Sequence, residues 1–131
     1  MNEIKKDPIT QLVFVYNADS GMLNLMKDIA HKLFSPKTYP CRLCDLTFSA
    51  LGERASWIEF RQHLGVAQEY LHIDEFTQQY ADQLENGGGV VAYPAVFSLT
   101  GEGLLQVLTK RQLDECGSLD MLKQLVLSLL E

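Results

Sequence analysis

The sequence predicts a single α/β domain in which helices flank a mixed four-stranded sheet. Three observations support this fold class: two apolar runs that are each followed by helical spacing, a glycine-containing turn between two later apolar runs, and a final amphipathic helix. The chain has 131 residues, of which 47% are hydrophobic, and this is enough to fill one core but not two. We therefore treat residues 1–131 as one domain.

The first strand is predicted at residues 11–16, where apolar, β-branched and aromatic side chains follow one another. Such a strand is buried on both faces, so it should lie inside the sheet. Residues 17–21 supply turn and capping side chains, and the apolar spacing of residues 22–34 predicts a helix. Pro36 ends that helix because proline lacks an amide hydrogen and clashes with the preceding turn.

Residues 37–65 are predicted to form an insertion after the first helix. Its first part carries a C-x-x-C pair, Cys41 and Cys44. Its second part has the spacing of a surface helix with one packed stripe. That stripe comprises Trp57, Phe60 and Leu64.

The remaining elements follow the same alternation of apolar runs and turns. A second strand is predicted at residues 69–74 and a helix at 75–84. Residues 90–99 and 104–108 then flank a glycine-containing turn, which is typical of an antiparallel hairpin. The last helix should begin after Ser118, whose hydroxyl is a favourable N-cap.

Without the insertion, this order of elements resembles the thioredoxin fold, whose four-stranded sheet combines two parallel strands with an antiparallel hairpin. The likeness is clearest at residues 93–99, because thioredoxin-like proteins open the third strand with a cis-proline. The resemblance implies a cis bond between Tyr93 and Pro94. Residues 15–21 and 38–47 also look like the signature stretches of a small bacterial family without an assigned function.

Thioredoxins carry their reactive dithiol directly after the first strand, where this chain has residues 17–20 and no sulfur. The family's catalytic pair therefore cannot be carried over to that position. The short oxygen-bearing side chains of Asn17, Asp19 and Ser20 are most simply explained as helix caps.

The alternative is that this loop borders a binding pocket. An antiparallel third strand would begin near the end of the first strand, and ligands often bind outside the carboxyl ends of strands in open α/β sheets. The candidate pocket residues are Asn17, Asp19, Ser20, His72, Tyr93 and Pro94.

Three interpretations of Cys41 and Cys44 are open. They are a redox dithiol whose thiolate a nearby Arg42 would favour, a pair of packed reduced cysteines, or half of a metal site. We favour the dithiol and rank metal last, because a closed zinc site needs four ligands and no second ligand pair occurs. The spacing should keep the sulfurs close enough to bond, although a cytosolic thiol pool would keep them mostly reduced. The third cysteine, Cys116, has no evident partner.

Composition excludes several classes of function. A net charge of -6 and dispersed basic residues disfavour nucleic acid as a partner. No apolar run reaches the roughly 20 residues of a membrane span, and the first residues lack a secretion signal, so we expect a cytoplasmic protein without a membrane partner. The sequence contains no G-x-S-x-G or H-E-x-x-H motif, and residues 87–89 lack the Lys-Ser/Thr of a phosphate-binding loop.

Two functions follow as hypotheses. The first is thiol-disulfide chemistry or redox sensing through Cys41 and Cys44, with no bound cofactor. The second is a non-catalytic binding or adaptor domain on the same scaffold, which would use the loop at residues 17–20 and Pro94 to recognise an unknown protein or small molecule.

Overall fold

The computed structural model describes residues 9–17, 41–49, 52–80, 82–83, 91–101 and 103–130. The helix predicted over residues 22–34 lies outside these ranges, as do Asp19 and Ser20. The described residues form a mixed α/β structure, as the sequence predicts. Its elements are β1 (Gln11–Val15), α1 (Arg42–Thr47), β2 (Phe48–Ser49), β3 (Gly52–Glu53), α2 (Ala55–Gln62), β4 (Ala67–Leu71), α3 (Ile73–Gln79), β5 (Ala95–Thr100), β6 (Gly103–Leu108), α4 (Lys110–Asp114) and α5 (Leu119–Leu129).

The main sheet of the described chain has four strands in the order β4-β1-β5-β6. Strand β1 runs parallel to β4 and antiparallel to β5, and β5 runs antiparallel to β6. The predicted interior position of β1 is therefore confirmed. Residues 12–15 are fully buried, which explains why this strand has no polar residue in its centre.

The sheet separates two apolar layers, because successive side chains of a strand point to opposite faces. One layer, which we call the insertion layer, includes Leu12, Phe14, Tyr16, Cys41, Leu43, Trp57, Val96, Leu113, Cys116, Leu122 and Val126. The other, which we call the α3 layer, comprises Val13, Val15, Leu71, Phe76, Tyr80, Ala95 and Phe97.

The insertion is part of the main core. Trp57 of α2 is fully buried, and Phe60 and Leu64 pack beside it, which confirms the predicted stripe. The small antiparallel pair of β2 and β3 was not predicted from the sequence. Gly52 of this pair has φ +117°, a conformation that glycine adopts without a steric penalty.

The second strand and its helix begin earlier than the apolar pattern predicts. Strand β4 ends at Leu71, and α3 already begins at Ile73. The reason is a local cap, because the backbone amide of His72 donates to Oε1 of Glu75 at 2.8 Å. This hydrogen bond stabilises the first turn of α3, so the helix already includes Ile73 and Asp74.

The hairpin of β5 and β6 and the cap of the last helix are confirmed. Thr100 pairs with Gly103 across the hairpin turn. The hydroxyl of Ser118 accepts a hydrogen bond from the amide of Met121 at 3.2 Å. The short helix α4, which precedes α5, was not predicted from the sequence. In the part of the chain that the structure describes, every helix is too short or too polar to span a membrane.

Candidate functional site

Cys41 and Cys44 form a disulfide at the beginning of α1. Their α-carbons are 5.2 Å apart, which confirms that the C-x-x-C spacing keeps the pair within bonding range. Cys41 is the N-cap residue of α1, with φ -130° and ψ 90°, and Cys44 lies in the first turn. The pair is thus held by a regular helix start.

The sulfur of Cys41 accepts two backbone hydrogen bonds. The amide of Cys44 donates to it over 3.3 Å, and the amide of Asn17 donates over 3.5 Å. Asn17 lies 24 residues earlier in the chain, close behind the end of β1. The disulfide therefore lies at the carboxyl end of the interior strand, although its cysteines lie more than 20 residues further along the chain.

The two sulfur-bearing residues differ in exposure. Cys41 is 2% exposed and belongs to the insertion layer, whereas Cys44 is only partly buried and packs against the edge of that layer. Helix α1 buries Leu43, Leu46 and Thr47 and turns Arg42 and Asp45 to solvent. Cys44 therefore lies at the boundary between the buried and the exposed sides of α1.

Charged groups surround the exposed side of α1. Partial burial raises the pKa of Asp45, and the nearby Arg42 and Arg54 oppose that shift. Burial also raises the pKa of the Cys116 thiol, again against the charge of Arg42. Cys116 is 1% exposed and takes no part in the disulfide, so at neutral pH it is a protonated, packed thiol.

His72 lies at the same edge of the sheet as the disulfide. It follows β4, and its ring centre is 6.2 Å from that of Tyr16, the residue between β1 and Asn17. Its Nδ1 is 2.7 Å from Oε1 of Glu75, and the bonds from His72 hold the pKa of that carboxyl below its ordinary value. The other ring nitrogen, Nε2, is buried without a hydrogen-bond partner among the described residues.

Tyr93 and Pro94 precede β5, and the bond between them is cis, as the sequence analysis predicts. Pro94 is buried, and the next residue, Ala95, pairs with Val15 at the end of β1. The ring of Tyr93 instead packs edge-on against Phe76 in the α3 layer, at a centre-to-centre distance of 6.2 Å. Burial raises the pKa of its hydroxyl.

The structure describes four of the six candidate pocket residues. Asn17, His72 and Pro94 lie next to the paired ends of β1, β4 and β5, whereas the ring of Tyr93 lies on the opposite layer from Cys41. Asp19 and Ser20 lie outside the described residues.

Sequence reasoning missed a polar cluster above this edge. Arg61 donates two hydrogen bonds to the carboxylate of Glu53, at 2.8 and 2.9 Å, and lies 5.7 Å from the ring centre of Tyr70. Burial raises the pKa values of Tyr16 and Tyr70 beside them. No periodic signal could have revealed the cluster, because β3, α2 and β4 each supply one of its members. Its evident role is to fasten the β2-β3 hairpin to α2.

The surface of the described chain offers shallow grooves near α1 and α2. The larger, of about 510 Å³, runs between Asp45 and Leu46 of α1 and Arg54 and Ser56 at the start of α2. Among the described residues, no group of three or more His, Cys, Asp or Glu side chains is arranged to hold a metal ion.

We also compared the chain with known proteins. Neither the protein-family models nor the curated proteins nor the solved structures contain a significant match to it.

Proposed function

We propose that this protein is a thioredoxin-like thiol-disulfide protein in which Cys41 and Cys44 alternate between a dithiol and a disulfide. The observation that carries the proposal is the hydrogen bond from the Asn17 amide to the sulfur of Cys41. It joins the C-x-x-C pair to the carboxyl end of the interior strand, where thioredoxins carry their dithiol.

The topology of the sheet supports this assignment. A parallel pair, β1 and β4, lies beside an antiparallel hairpin, β5 and β6, and a helix follows. This order is similar to that of the thioredoxin fold. Pro94 precedes the strand that pairs antiparallel with β1, and thioredoxin-like proteins open their third strand with a cis-proline at this place.

The environment of Cys41 suits a reversible disulfide. When the disulfide opens, a thiolate at Cys41 would receive the amide hydrogens of Asn17 and Cys44. Hydrogen bonds to the charged form lower a pKa, while burial raises it, so the two donors offset the cost of ionising a buried sulfur. In the cytoplasmic location expected from the sequence, cellular thiols would supply the reducing equivalents.

A glutathione redox titration tests the proposal. A Cys116→Ser variant is equilibrated in buffers of rising oxidised-to-reduced glutathione ratio and then alkylated. Its intact mass, measured by mass spectrometry, reports how many thiols were reduced. We expect one reversible two-electron transition, with both end states folded by circular dichroism. The matched control, Cys41→Ser/Cys116→Ser, has one thiol and should form only mixed disulfides.

A pair that stays in one redox state in every buffer, yet changes state in urea, would contradict the proposal. That result would favour the second candidate, a non-catalytic binding domain. The burial of Cys41, which is 2% exposed, is the observation in favour of that alternative, because packing alone also explains a buried sulfur.

A further inference from the structure

We propose that Cys44 is the sulfur that exchanges with external thiols, and that Cys41 is the internal sulfur that leaves and returns. This inference rests on the proposed function and adds a direction to it.

Cys44 is the more exposed residue of the two. A thiolate must approach one sulfur of a disulfide along the S–S axis, so the sulfur attacked is the one that solvent can reach. Cys41 is 2% exposed and lies in the insertion layer with Leu43, which is 1% exposed. Cys44 is only partly buried and is followed by the exposed Asp45. An external thiolate therefore meets Cys44 first.

Cys41 is the sulfur that two backbone amides would stabilise as a leaving thiolate. Exchange is faster when the departing thiolate is stabilised. The sulfur of Cys41 accepts amide hydrogens from Asn17 at 3.5 Å and from Cys44 at 3.3 Å. Neither amide has to move when the charge develops. The site is thus arranged for negative charge on Cys41 and for attack on Cys44.

The proposed step is a balanced exchange. An external thiolate attacks the sulfur of Cys44, a new external S–Cys44 bond forms, and the Cys41–Cys44 bond breaks. Its electron pair goes to Cys41, which becomes a thiolate held by the two amides. A second external thiolate then attacks the mixed disulfide, which releases an external disulfide and the thiolate of Cys44. In the reverse direction, the thiolate of Cys41 resolves a mixed disulfide carried by Cys44.

The sequence makes the direction measurable. Arg42 lies between the two cysteines, so trypsin separates Cys41, on the peptide 38–42, from Cys44, on the peptide 43–54. The oxidised Cys116→Ser protein is exposed briefly to reduced glutathione, trapped with N-ethylmaleimide, digested and analysed by mass spectrometry. We expect glutathione on 43–54 and maleimide on 38–42, in about tenfold excess over the reverse arrangement.

Single-thiol variants give an independent rate. Cys41→Ser/Cys116→Ser retains Cys44, and Cys44→Ser/Cys116→Ser retains Cys41; serine is itself a favourable N-cap, so the first change keeps the helix start. With a chromogenic aromatic disulfide we expect the variant that retains Cys44 to react about tenfold faster. In urea the two rates should become equal, which would show that the fold causes the difference.

Each outcome has a separate meaning. Glutathione on Cys41, an even distribution, or a faster reaction of the variant that retains Cys41 would overturn the proposed direction and leave the exchange function standing. A folded disulfide that glutathione does not open, although it opens in urea, would overturn the proposed function and the direction with it.

Discussion

The two layers that cover the sheet are assembled in different ways. The α3 layer is built around one local unit, in which Phe76 and Tyr80 lie one helical turn apart on a helix that directly follows β4. The insertion layer collects side chains from the start, the middle and the end of the chain, as Leu12, Trp57 and Val126 illustrate. Both cysteines of the disulfide and the third thiol belong to or pack against the insertion layer.

The α3 layer also contains a network of paired polar groups. On the α3 side, Glu69 accepts hydrogen bonds from Tyr80 at 2.8 Å, from Gln11 at 2.7 Å and from Gln79 at 2.7 Å. On the insertion side, Nε1 of Trp57 is buried without a partner among the described residues. The proposed redox pair thus lies in the layer that is assembled from distant segments of the chain.

The largest expected effect is on the packing of the insertion layer. Phe14 is fully buried, stacks on Tyr70 at 4.8 Å and meets Trp57 edge-on at 5.9 Å. We expect Phe14→Ala to lower the free energy of unfolding by about 3–5 kcal/mol, measured by urea denaturation. Leu105→Ala is the control, because Leu105 is 62% exposed and should change stability by less than about 0.5 kcal/mol. A loss below about 1 kcal/mol at Phe14 would contradict the core assignment.

Reduction of the disulfide should have a smaller effect. The loop that Cys41 and Cys44 close is very short, and a disulfide stabilises a protein less when the loop that it closes is shorter. We expect reduction of the Cys116→Ser protein to cost at most about 2 kcal/mol and to leave it folded. Urea denaturation with and without a reductant measures the difference. Unfolding upon reduction would show instead that the insertion layer depends on a structural disulfide.

Disruption of the polar network of the α3 layer should have a smaller effect on stability. Tyr80→Phe removes a donor to Glu69 and should cost about 1 kcal/mol. A double-mutant cycle with Glu69→Ala isolates the pair, and a coupling of zero would show that the bond contributes nothing.

The same pair predicts a dependence on alkaline pH. Burial and the Glu69 carboxylate raise the pKa of Tyr80 to about 12 from an ordinary value of 10.0. The contribution of Tyr80 to stability should therefore be complete below pH 10 and should decline as the pH rises towards the folded pKa. The free energies of unfolding of wild type and Tyr80→Phe, measured against pH, should therefore converge as the pH rises above 10.

The smallest effect concerns the cap at the sheet edge. The backbone and side chain of His72 lower the pKa of Glu75 below its ordinary value of 4.5. Its stabilising contribution is thus present above pH 4.5 and is lost as the pH falls through the lower, folded pKa. We expect Glu75→Gln to cost less than about 1 kcal/mol near neutral pH and nothing below the folded pKa.

A matched control separates this cap from a general effect of charge. Glu59→Gln removes an exposed carboxylate on α2 and should not reproduce the effect of Glu75→Gln on stability at different pH values. If the free energies of unfolding of the two variants fall in parallel as the pH is lowered, the contact between His72 and Glu75 is not the cause of the loss of stability in acid.

Much of the fold could be predicted from short stretches of sequence. The uninterrupted apolar run at residues 12–15 indicated an interior strand, the glycine-containing turn a hairpin, and Ser118 a helix cap. Each of these depends on interactions within a few residues or on burial that the residue types themselves require. The bonding range of Cys41 and Cys44 was predictable for the same reason.

The placement of the site depended on the tertiary structure. The sequence separates Asn17 from Cys41 by 24 residues, and only the packing of the insertion brings the amide of one to the sulfur of the other. The packing also decides that Cys41 is buried, that Cys44 is partly exposed, and that the ring of Tyr93 lies on the opposite layer. Local preferences are short-ranged, whereas the exposure of a side chain is set by every segment that packs over it.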